Sequence, residues 1–352
     1  MAASLPVRQL GTRGPGVSAL AFGNWLNHGG LVGYDAAIRS VHAALNAGIS
    51  TFDTADEYAG GEAEKVLGAA LASVPRESVT ICTKVFFPTW PGDDGRGLSR
   101  RHVLASCDAS LTRLGVDHID LYQAHRFDPD VALEETFDAF ARLCENGKIR
   151  YIGTSEWTTE QLSRGVAVAE SMGVPMVSDQ VQYSLLWRVP EAELVPAATA
   201  RGLGLLTYSP LAQGVLTGKY RPGAVPDDSR AARSGPDASI FRHFSDGLLD
   251  AVQQVGKVVD QAGLRLPEFA VAWVLNRPAV AAVILGASRP EQIQQNVRAA
   301  ELRLDPDLVS AVDSVLAAWV EDDPGKAGRG WSVRPDWRRQ FSGLPSAGDE
   351  DR

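Results

Sequence analysis

The feature that most constrains this chain is a repeat: short apolar runs alternate with helix-length periodic segments through most of its 352 residues. Each predicted strand is followed by a segment whose apolar residues recur at helical spacing. Eight strand–helix units predict an α/β protein whose parallel strands close into a (β/α)8 TIM barrel with the helices outside. The predicted strands are 18–22, 50–53, 79–84, 118–123, 149–154, 175–180, 204–209 and 281–286.

An open, doubly wound sheet is the competing architecture. A dinucleotide-binding sheet of that kind carries G-x-G-x-x-G after its first strand. Here the first strand is followed by GNWLNHGG (23–30), which does not match. The glycines of GTRGPG (11–16) lack a strand–turn–helix context, so we predict a short N-terminal turn or hairpin there.

The repeat predicts a single domain over residues 1–321, and two segments depart from it. Residues 213–246 are rich in Gly, Pro, Asp and Ser and too long for a simple barrel loop, which predicts a functional lid. Residues 322–352 predict a polar, mobile C-terminal tail, part of which docks through Trp331, Trp337 and Phe341.

Composition excludes several classes of function. The formal charge of -9 argues against a nucleic-acid or anionic-membrane surface. No apolar run is long enough to span a membrane, and the N-terminus lacks the pattern of a signal peptide. Cys82, Cys107 and Cys144 form no CxxC, and the histidines form no HExxH, so we expect reduced thiols, no metal site and a cytoplasmic protein. The many Ala and Arg residues suggest a bacterial source with GC-rich DNA.

Polar side chains follow three successive predicted strands. Asp53 ends the second strand with Tyr58 five residues on, Lys84 ends the third, and His125 ends the fourth. Active sites of such barrels lie at the carboxyl ends of the strands, so we expect the four side chains to meet. The neighbouring Asp56 and Glu57 are expected to be solvent-side acids that cap the next helix.

The four residue types suit proton transfer to an oxygen whose carbon receives a hydride. A phenol has a pKa of about 10, and a close ammonium lowers it. Asp53 would keep Lys84 charged, and His125 would orient a carbonyl group. Each of the four residues, taken alone, is explained equally well as a helix cap, a rim aromatic or a loop side chain. The prediction therefore rests on their occurring together at neighbouring strand ends.

Six segments together resemble the aldo-keto reductases: GISTFDTADEYAGGEAEKVLG, ICTKVFF, DLYQAHRFD, GTSEW, TYSPLAQGVLTGKY and ILGASRPEQIQQN. The resemblance runs in order from about residue 7 to 320 and is strongest to the branch of potassium-channel β-subunits and their soluble bacterial relatives. It implies a barrel that reduces an aldehyde or ketone with NADPH. It also implies that Tyr58 is the proton donor, Lys84 lowers its pKa, Asp53 holds Lys84, and His125 positions the carbonyl.

The resemblance further implies an NADP(H) site covered by residues 213–246. Tyr208 would stack on the nicotinamide, while Ser155 and Gln180 would bind its carboxamide. Position 156 carries Glu where the family commonly has Asn, so its role there is open. Ser288 and Arg289 would take the adenosine 2′-phosphate, which favours NADP over NAD. The expected cofactor-binding residues are Gly23, Asn24, Trp25, Asp53, Ser155, Glu156, Gln180, Tyr208, Ser209, Pro210, Leu211, Ala212, Gly214, Lys219, Arg230, Gly286, Ser288, Arg289, Gln292, Gln295 and Asn296.

Aromatic residues near the strand ends are the candidates for the substrate pocket, although rim aromatics as often serve packing. The expected pocket residues are Trp25, Tyr58, Phe86, Trp90, His125 and Trp157, with Phe87 as a further candidate.

Two other functions stay open at this point. The first is a non-enzymatic, cofactor-sensing subunit, as the channel β-subunits imply; these often have Asn where this chain has His125, which favours a working reductase. The second is reduction of nucleotide-sugar keto or enone intermediates in a bacterial deoxysugar pathway. The expected partner is a small carbonyl substrate, and the resemblance allows a homo-oligomer such as a tetramer.

Overall fold

A closed parallel barrel of eight strands forms the body of the protein. A computed structural model describes residues 5–25, 33–227, 229–232, 245–287 and 289–328, apart from the side chains of Asp93 and Arg230. The barrel closes in the order β10-β3-β4-β5-β6-β7-β8-β9, which confirms the predicted fold. Its strands are β3 Leu20–Gly23, β4 Thr51–Asp53, β5 Thr80–Val85, β6 Ile119–Ala124, β7 Ile149–Ser155, β8 Met176–Gln182, β9 Gly204–Tyr208 and β10 Val280–Leu285.

An antiparallel hairpin precedes the barrel, made of β1 (Val7–Gln9) and β2 (Gly16–Ser18). The Leu10 N–H donates to the Pro15 carbonyl at 3.0 Å, which closes the turn predicted from GTRGPG. Arg8 of β1 donates to the carbonyls of Leu275 and Val280, so the hairpin lies against the amino-terminal end of β10.

Helices connect successive strands and begin and end where local sequence signals place them. Ser99 caps α3 by accepting from the His102 N–H at 3.3 Å, and Gly115 ends it with a φ of 66°, as a helix stop requires. The helices are α1 Tyr34–Asn46, α2 Glu62–Leu71, α3 Arg100–Leu114, α4 Leu133–Glu145, α5 Thr159–Ser171, α6 Leu194–Ala200, α7 Asp246–Gln261, α8 Leu266–Leu275, α9 Pro290–Val297 and α10 Pro306–Leu316. Within the described ranges, no helix combines the length and apolar character needed to cross a bilayer.

The hydrophobic core lies between the barrel and its helices. All residues of β3, β4, β6, β8 and β10 are buried, as strands covered on both faces must be. Phe137 and Phe140 of α4 pack together and are 1% exposed. Truncating such a phenylalanine to alanine costs about 3–5 kcal/mol.

The two irregular segments are described in part. Between β9 and α7 the structure describes 213–227 and 229–232, and the remainder of the predicted lid lies outside the described residues. The tail begins beside the barrel: the Arg188 N–H donates to the Glu321 carbonyl at 2.7 Å, and Lys326 pairs with Glu321. Residues 329–352, including Trp331, Trp337 and Phe341, lie outside the described residues, so the division into domain, lid and tail stays a prediction.

Candidate active site

The carboxyl ends of three neighbouring strands bring together the four residues predicted from the sequence. Asp53 ends β4, Lys84 lies near the end of β5, and His125 follows β6 directly. The strand register pairs Asp53 with Cys82 and Lys84 with Gln123, and the His125 N–H donates to the Val85 carbonyl at 3.0 Å. Tyr58 reaches the same place from the loop after β4.

A buried lysine makes the central hydrogen bonds of this group. Lys84 is fully buried, and its Nζ donates to Asp53 Oδ2 at 2.7 Å, to the Thr54 carbonyl at 2.7 Å and to Tyr58 Oη at 3.2 Å. These three acceptors match the three donors of an ammonium group. Asp53 therefore supplies the carboxylate that an isolated buried ammonium would need.

Three left-handed residues after Tyr58 turn the chain into α2. Ala59, Gly60 and Gly61 have φ values of 51°, 65° and 90°, a conformation that glycine adopts at little cost. A side chain at Gly61 would meet Arg113 Cδ at 2.8 Å, and Arg113 crosses there to pair with Glu64. The sequence YAGGE thus fixes how Tyr58 is presented at the rim.

The environment raises the pKa of Tyr58 well above its usual value, which reverses the direction expected from Lys84. Burial is the main cause, followed by the negative charge of Asp53 and then of Glu57, while Arg126 opposes them. The ammonium still favours the phenolate, but Asp53 already balances its charge. The phenol is therefore held protonated and ready to give up its proton rather than ionised at rest.

The His125 ring faces Tyr58 in an aromatic cluster. Its centroid lies 5.8 Å from the Tyr58 ring and 5.0 Å from the Phe87 ring, both edge-on. Burial, then the cations Arg126 and Lys84, lowers the pKa of His125 well below its usual value. The imidazole is therefore neutral near pH 7 and can donate one N–H to a carbonyl oxygen.

Asp56 is not solvent-side, so the expectation is wrong for that residue, whereas the side chain of Glu57 is half-buried at 23% exposure. Asp56 is 1% exposed and neither carboxyl oxygen has a hydrogen-bond partner in the described part of the chain. Burial raises its pKa well above the usual value, and Glu64 and Glu57 add to that rise. Burial also raises the pKa of Glu57 to about 7, against the opposing charges of Lys84 and Arg126. The sequence did not show the packing that encloses Asp56.

Arg126 is a further charged residue of this rim that sequence reasoning missed. It is buried, donates to the His125 carbonyl and to Ser155 Oγ, and lies 5.7 Å from the Phe87 ring centroid. The signal was present in HRFD, where an arginine directly follows His125 at a strand end. Arg126 links the end of β6 to the end of β7.

The side chains of Gln180 and Glu156, which were expected around a nicotinamide carboxamide, form hydrogen bonds with other residues of the barrel end. Gln180 Nε2 donates to Asp53 Oδ1 at 2.8 Å, which gives Asp53 a second neighbour besides Lys84. Glu156 adopts a φ of 55° and accepts from the Gln182 N–H at 2.7 Å and from Tyr208 Oη at 2.9 Å. Glu156 therefore anchors the Tyr208 hydroxyl.

The chain after β9 forms a concave backbone turn. Ser209, Ala212 and Gln213 have φ values of 56°, 44° and 53°, which non-glycine residues rarely adopt outside strained functional segments. Leu211, at φ −96° and ψ 15°, precedes the left-handed Ala212, whose N–H donates to the Ser209 carbonyl at 2.9 Å, so the turn is closed by its own backbone hydrogen bond.

Three other residues predicted to bind the cofactor phosphates follow in this part of the chain: Pro210, Lys219 and Arg230. Pro210 lies between Ser209 and Leu211 in the turn. A Cβ placed on Gly214 would lie 3.6 Å from Lys219 Nζ, so that ammonium lies over the turn. Only the backbone of Arg230 is described, in the short 3-10 helix Arg230–Ala232.

The adenosine part of the cofactor is predicted to bind at the start of α9. Gly286 and Arg289 are exposed immediately before the helix, and Ser288 lies outside the described residues. Gln292 and Asn296 lie on one face of the helix, and Asn296 is buried. Gln295 is exposed, and its Oε1 accepts from Arg265 at 3.4 Å.

The predicted pocket aromatics separate into rim and core. Trp25 is 39% exposed and its ring lies 6.4 Å from that of Tyr58, which suits a pocket wall. Trp157 is fully buried and packs against Phe127 and Phe137, so it serves the core. The ring of Trp90 lies edge-on to that of His102. Phe86 is buried beside Phe87.

The last residue of β3, Gly23, and the residue after it, Asn24, pack closely at the rim. Asn24 Nδ2 donates to the Ala63 carbonyl at 2.8 Å, and its Oδ1 is buried without a partner in the described part. A Cβ on Gly23 would lie 2.6 Å from Ile284 Cγ2, so only glycine fits there.

Comparison with known proteins agrees with this geometry. The model of the aldo/keto reductase family matches residues 19–317. The chain belongs to the aldo/keto reductase family. It is 38% identical to a putative voltage-gated potassium channel subunit beta of Schizosaccharomyces pombe, over 89% of this chain and 94% of that protein. It is 36% identical to a probable voltage-gated potassium channel subunit beta of Arabidopsis thaliana, over 88% and 96%.

A reductase is also among its relatives. The chain is 33% identical to the L-glyceraldehyde 3-phosphate reductase of Escherichia coli K12, over 83% of this chain and 86% of that protein. Membership makes this aldo/keto reductase an oxidoreductase that works with a nicotinamide cofactor. The residues present fit such a group: the Lys219 ammonium over the turn after β9 suits a phosphate, and the unpartnered Oδ1 of Asn24 offers a buried acceptor near the tetrad.

Proposed function

We propose that this protein reduces an aldehyde or ketone to an alcohol with NADPH, and that Tyr58 supplies the proton. The observation that carries the proposal is the contact between Lys84 Nζ and Tyr58 Oη at 3.2 Å, with Asp53 2.7 Å from the same ammonium. When bound, the reduced nicotinamide supplies a hydride to the carbonyl carbon. All other steps belong to side chains of this chain.

The carbonyl oxygen is oriented and protonated by the rim residues. Neutral His125 donates a hydrogen bond to that oxygen, and Tyr58 gives it a proton as negative charge develops. The bond that breaks is Tyr58 O–H, and the phenolate left behind lies against the Lys84 ammonium. Asp53 keeps that ammonium charged, which lowers the cost of forming the phenolate in a buried site.

The choice of NADPH over NADH rests on the start of α9. Arg289 is exposed at that end, so its guanidinium is available for a 2′-phosphate near the N-terminus of the helix. Ser288, which precedes it in the sequence, is proposed to bind the same group. The carboxamide and phosphate roles of Ser155, Tyr208 and Lys219 are part of the same proposal. A cytoplasmic location, a bacterial source and a homo-oligomer stay predictions.

The substrate follows from the relatives only as a class. A reductase of L-glyceraldehyde 3-phosphate among them favours a small aldehyde, and Trp25 beside Tyr58 would form one wall of its pocket. Phe87, at 5.0 Å from the His125 ring, is the better candidate than Trp157 for the opposite wall. Nucleotide keto-sugars remain the alternative substrates.

The decisive experiment compares NADPH oxidation by wild type and Tyr58→Phe across a carbonyl panel. The panel contains methylglyoxal, 4-nitrobenzaldehyde, glyceraldehyde, L-glyceraldehyde 3-phosphate and a nucleotide keto-sugar. Loss of the general acid should lower kcat by a factor of about 100 or more. Unchanged NADPH binding in Tyr58→Phe serves as the control for folding, and unchanged turnover in the variant would refute the role of Tyr58.

A second candidate is favoured by the channel subunits among the relatives: a cofactor-loaded subunit that attaches to a membrane channel. Under this reading the protein binds NADPH and turns over no carbonyl of the panel. Co-purification with a channel protein from the native membrane would then support it. Rapid turnover that depends on Tyr58 would count against it.

A further inference from the structure

A cavity lies at the end of the barrel opposite the tetrad. It has a volume of about 650 Å³ and is bounded by the N-terminal hairpin, the start of β9, and the turn from α8 into β10. This volume lies within the range of about 300–1,000 Å³ of small-molecule sites. We call it the bottom cavity.

The bottom cavity is lined by three arginines, Arg8, Arg277 and Arg303, and by no acidic side chain. None of the three forms an ion pair in the described part of the chain. Burial is the main cause that lowers the pKa of Arg8, and the positive charge of Arg303 lowers it further. A chain with a formal charge of -9 thus gathers uncompensated positive charge in one concave place.

Two of these guanidinium groups are fixed before any ligand arrives. Arg8 Nη1 donates to the Leu275 carbonyl at 2.8 Å and to the Val280 carbonyl at 3.1 Å. Arg277 lies 3.8 Å from the centroid of the Trp273 ring, and its Nε is buried without a partner among the described residues. Because a guanidinium has five N–H donors, these contacts leave donors unused.

Arg303 is the third arginine of the lining and lies near Arg8. It is exposed and makes no hydrogen bond or ion pair within the described residues. Polar uncharged side chains, Thr12, Thr199 and Asn276, share the lining with it. Holding Arg303 near Arg8 costs free energy by charge repulsion, and an anion between them would remove that cost.

We infer that the bottom cavity binds a small multivalent oxyanion, of the kind carried by molecules with two or more phosphate or carboxylate groups. Arginine forks bind both groups through paired charge-assisted hydrogen bonds. Three arginines around one cavity match a ligand with more than one anionic group better than a single phosphate. Bound there, the ligand would connect the N-terminal hairpin to the turn between α8 and β10.

The test titrates pyrophosphate, and separately citrate, into the full-length protein saturated with NADP⁺, so that the cofactor site is already filled. Calorimetry measures the affinity, and tryptophan fluorescence gives a local signal because Arg277 lies on Trp273. We expect at least one probe to bind with a Kd of about 1 mM or tighter. Arg303→Gln should weaken that binding by about 10-fold, as loss of a charge-assisted contact predicts.

The matched control is Arg39→Gln, which removes the same charge from an exposed position on α1, away from the cavity. Its affinity should equal that of wild type, and equal melting temperatures without probe would show that both variants fold. The inference is overturned if neither probe binds at about 1 mM. It is also overturned if Arg303→Gln binds as tightly as wild type, or if Arg39→Gln weakens binding equally.

Discussion

Glu57 Oε1 lies 3.9 Å from His125 Nδ1, and that imidazole nitrogen has no hydrogen-bond partner among the described residues. The separation exceeds a hydrogen bond, and the Glu57 side chain is 23% exposed while that of His125 is 7% exposed. Burial sets the pKa of Glu57 at about 7, so this carboxyl changes charge within the physiological range. It does so beside the proposed proton donor.

The first prediction concerns the pH dependence of reduction. Ionised Glu57 raises the pKa of Tyr58 and so disfavours the phenolate that proton donation leaves behind. Activity in wild type should therefore fall as pH rises through about 7, the pKa of Glu57. In Glu57→Gln the side chain stays neutral, and this fall should disappear from the pH profile of kcat/KM.

A control variant separates this local effect from a change in net charge. Glu62 carries a side chain that is 51% exposed and pairs with Lys65 on α2. Glu62→Gln removes the same charge and should keep the wild-type profile. An inflection near pH 7 that persists in Glu57→Gln would contradict the assignment to Glu57.

The second prediction concerns the buried pair of Asp53 and Lys84. Lys84→Met leaves a carboxylate unpaired in the core, which should lower the free energy of unfolding by about 3–5 kcal/mol. Adding Asp53→Asn removes the orphaned charge, so the double variant should be more stable than Lys84→Met alone. Denaturant unfolding of the two single variants, the double variant and wild type measures the coupling.

The exposed pair of Lys65 and Glu62 is the reference for that cycle. Its side chains are 55% and 51% exposed, and breaking it should cost about 1 kcal/mol or less. A double variant of Asp53 and Lys84 less stable than Lys84→Met would show that Asp53 is stabilised chiefly by Gln180 and the backbone around it.

Sequence patterns predicted the barrel because its strands are buried on both faces and its helices carry local stop signals such as Gly115. The positions of Asp53, Lys84 and His125 followed from the same alternation, since strand ends define the rim. Burial of Asp56 depends on tertiary packing, in which Glu64 of α2 and Arg113 of α3 come close enough to affect its pKa, and no local pattern reports that arrangement. Trp157 was misplaced for the same reason, because helix α5 covers it through Gly165.

The third prediction follows from the buried carboxyl of Asp56. Its pKa is raised in the folded state, so the folded protein holds this proton more tightly than the unfolded chain does. Stability from this group is therefore full below its ordinary value of 3.8 and is lost as pH rises toward the folded pKa. Asp56→Asn should match wild type near that low pH and be more stable at neutral pH.

Thermal unfolding across this pH range tests the prediction. Asp260→Asn, at an exposed position on α7, is the control for removing a carboxylate and should keep the wild-type pH dependence. An Asp56→Asn protein that loses stability with rising pH as steeply as wild type would contradict the proposed source.

The fourth prediction concerns the choice of cofactor. Arg289 lies exposed before α9, where it would pair with a 2′-phosphate that NADPH has and NADH lacks. Arg289→Leu should raise the Kd for NADPH by about 10-fold or more and leave that for NADH unchanged, because only the phosphate contact is lost. Arg289→Lys should recover part of the affinity, since it keeps the charge without the paired geometry. Arg298→Leu, an exposed site past the other end of α9, is the matched control, and an equal loss for NADPH and NADH in Arg289→Leu would contradict the assignment.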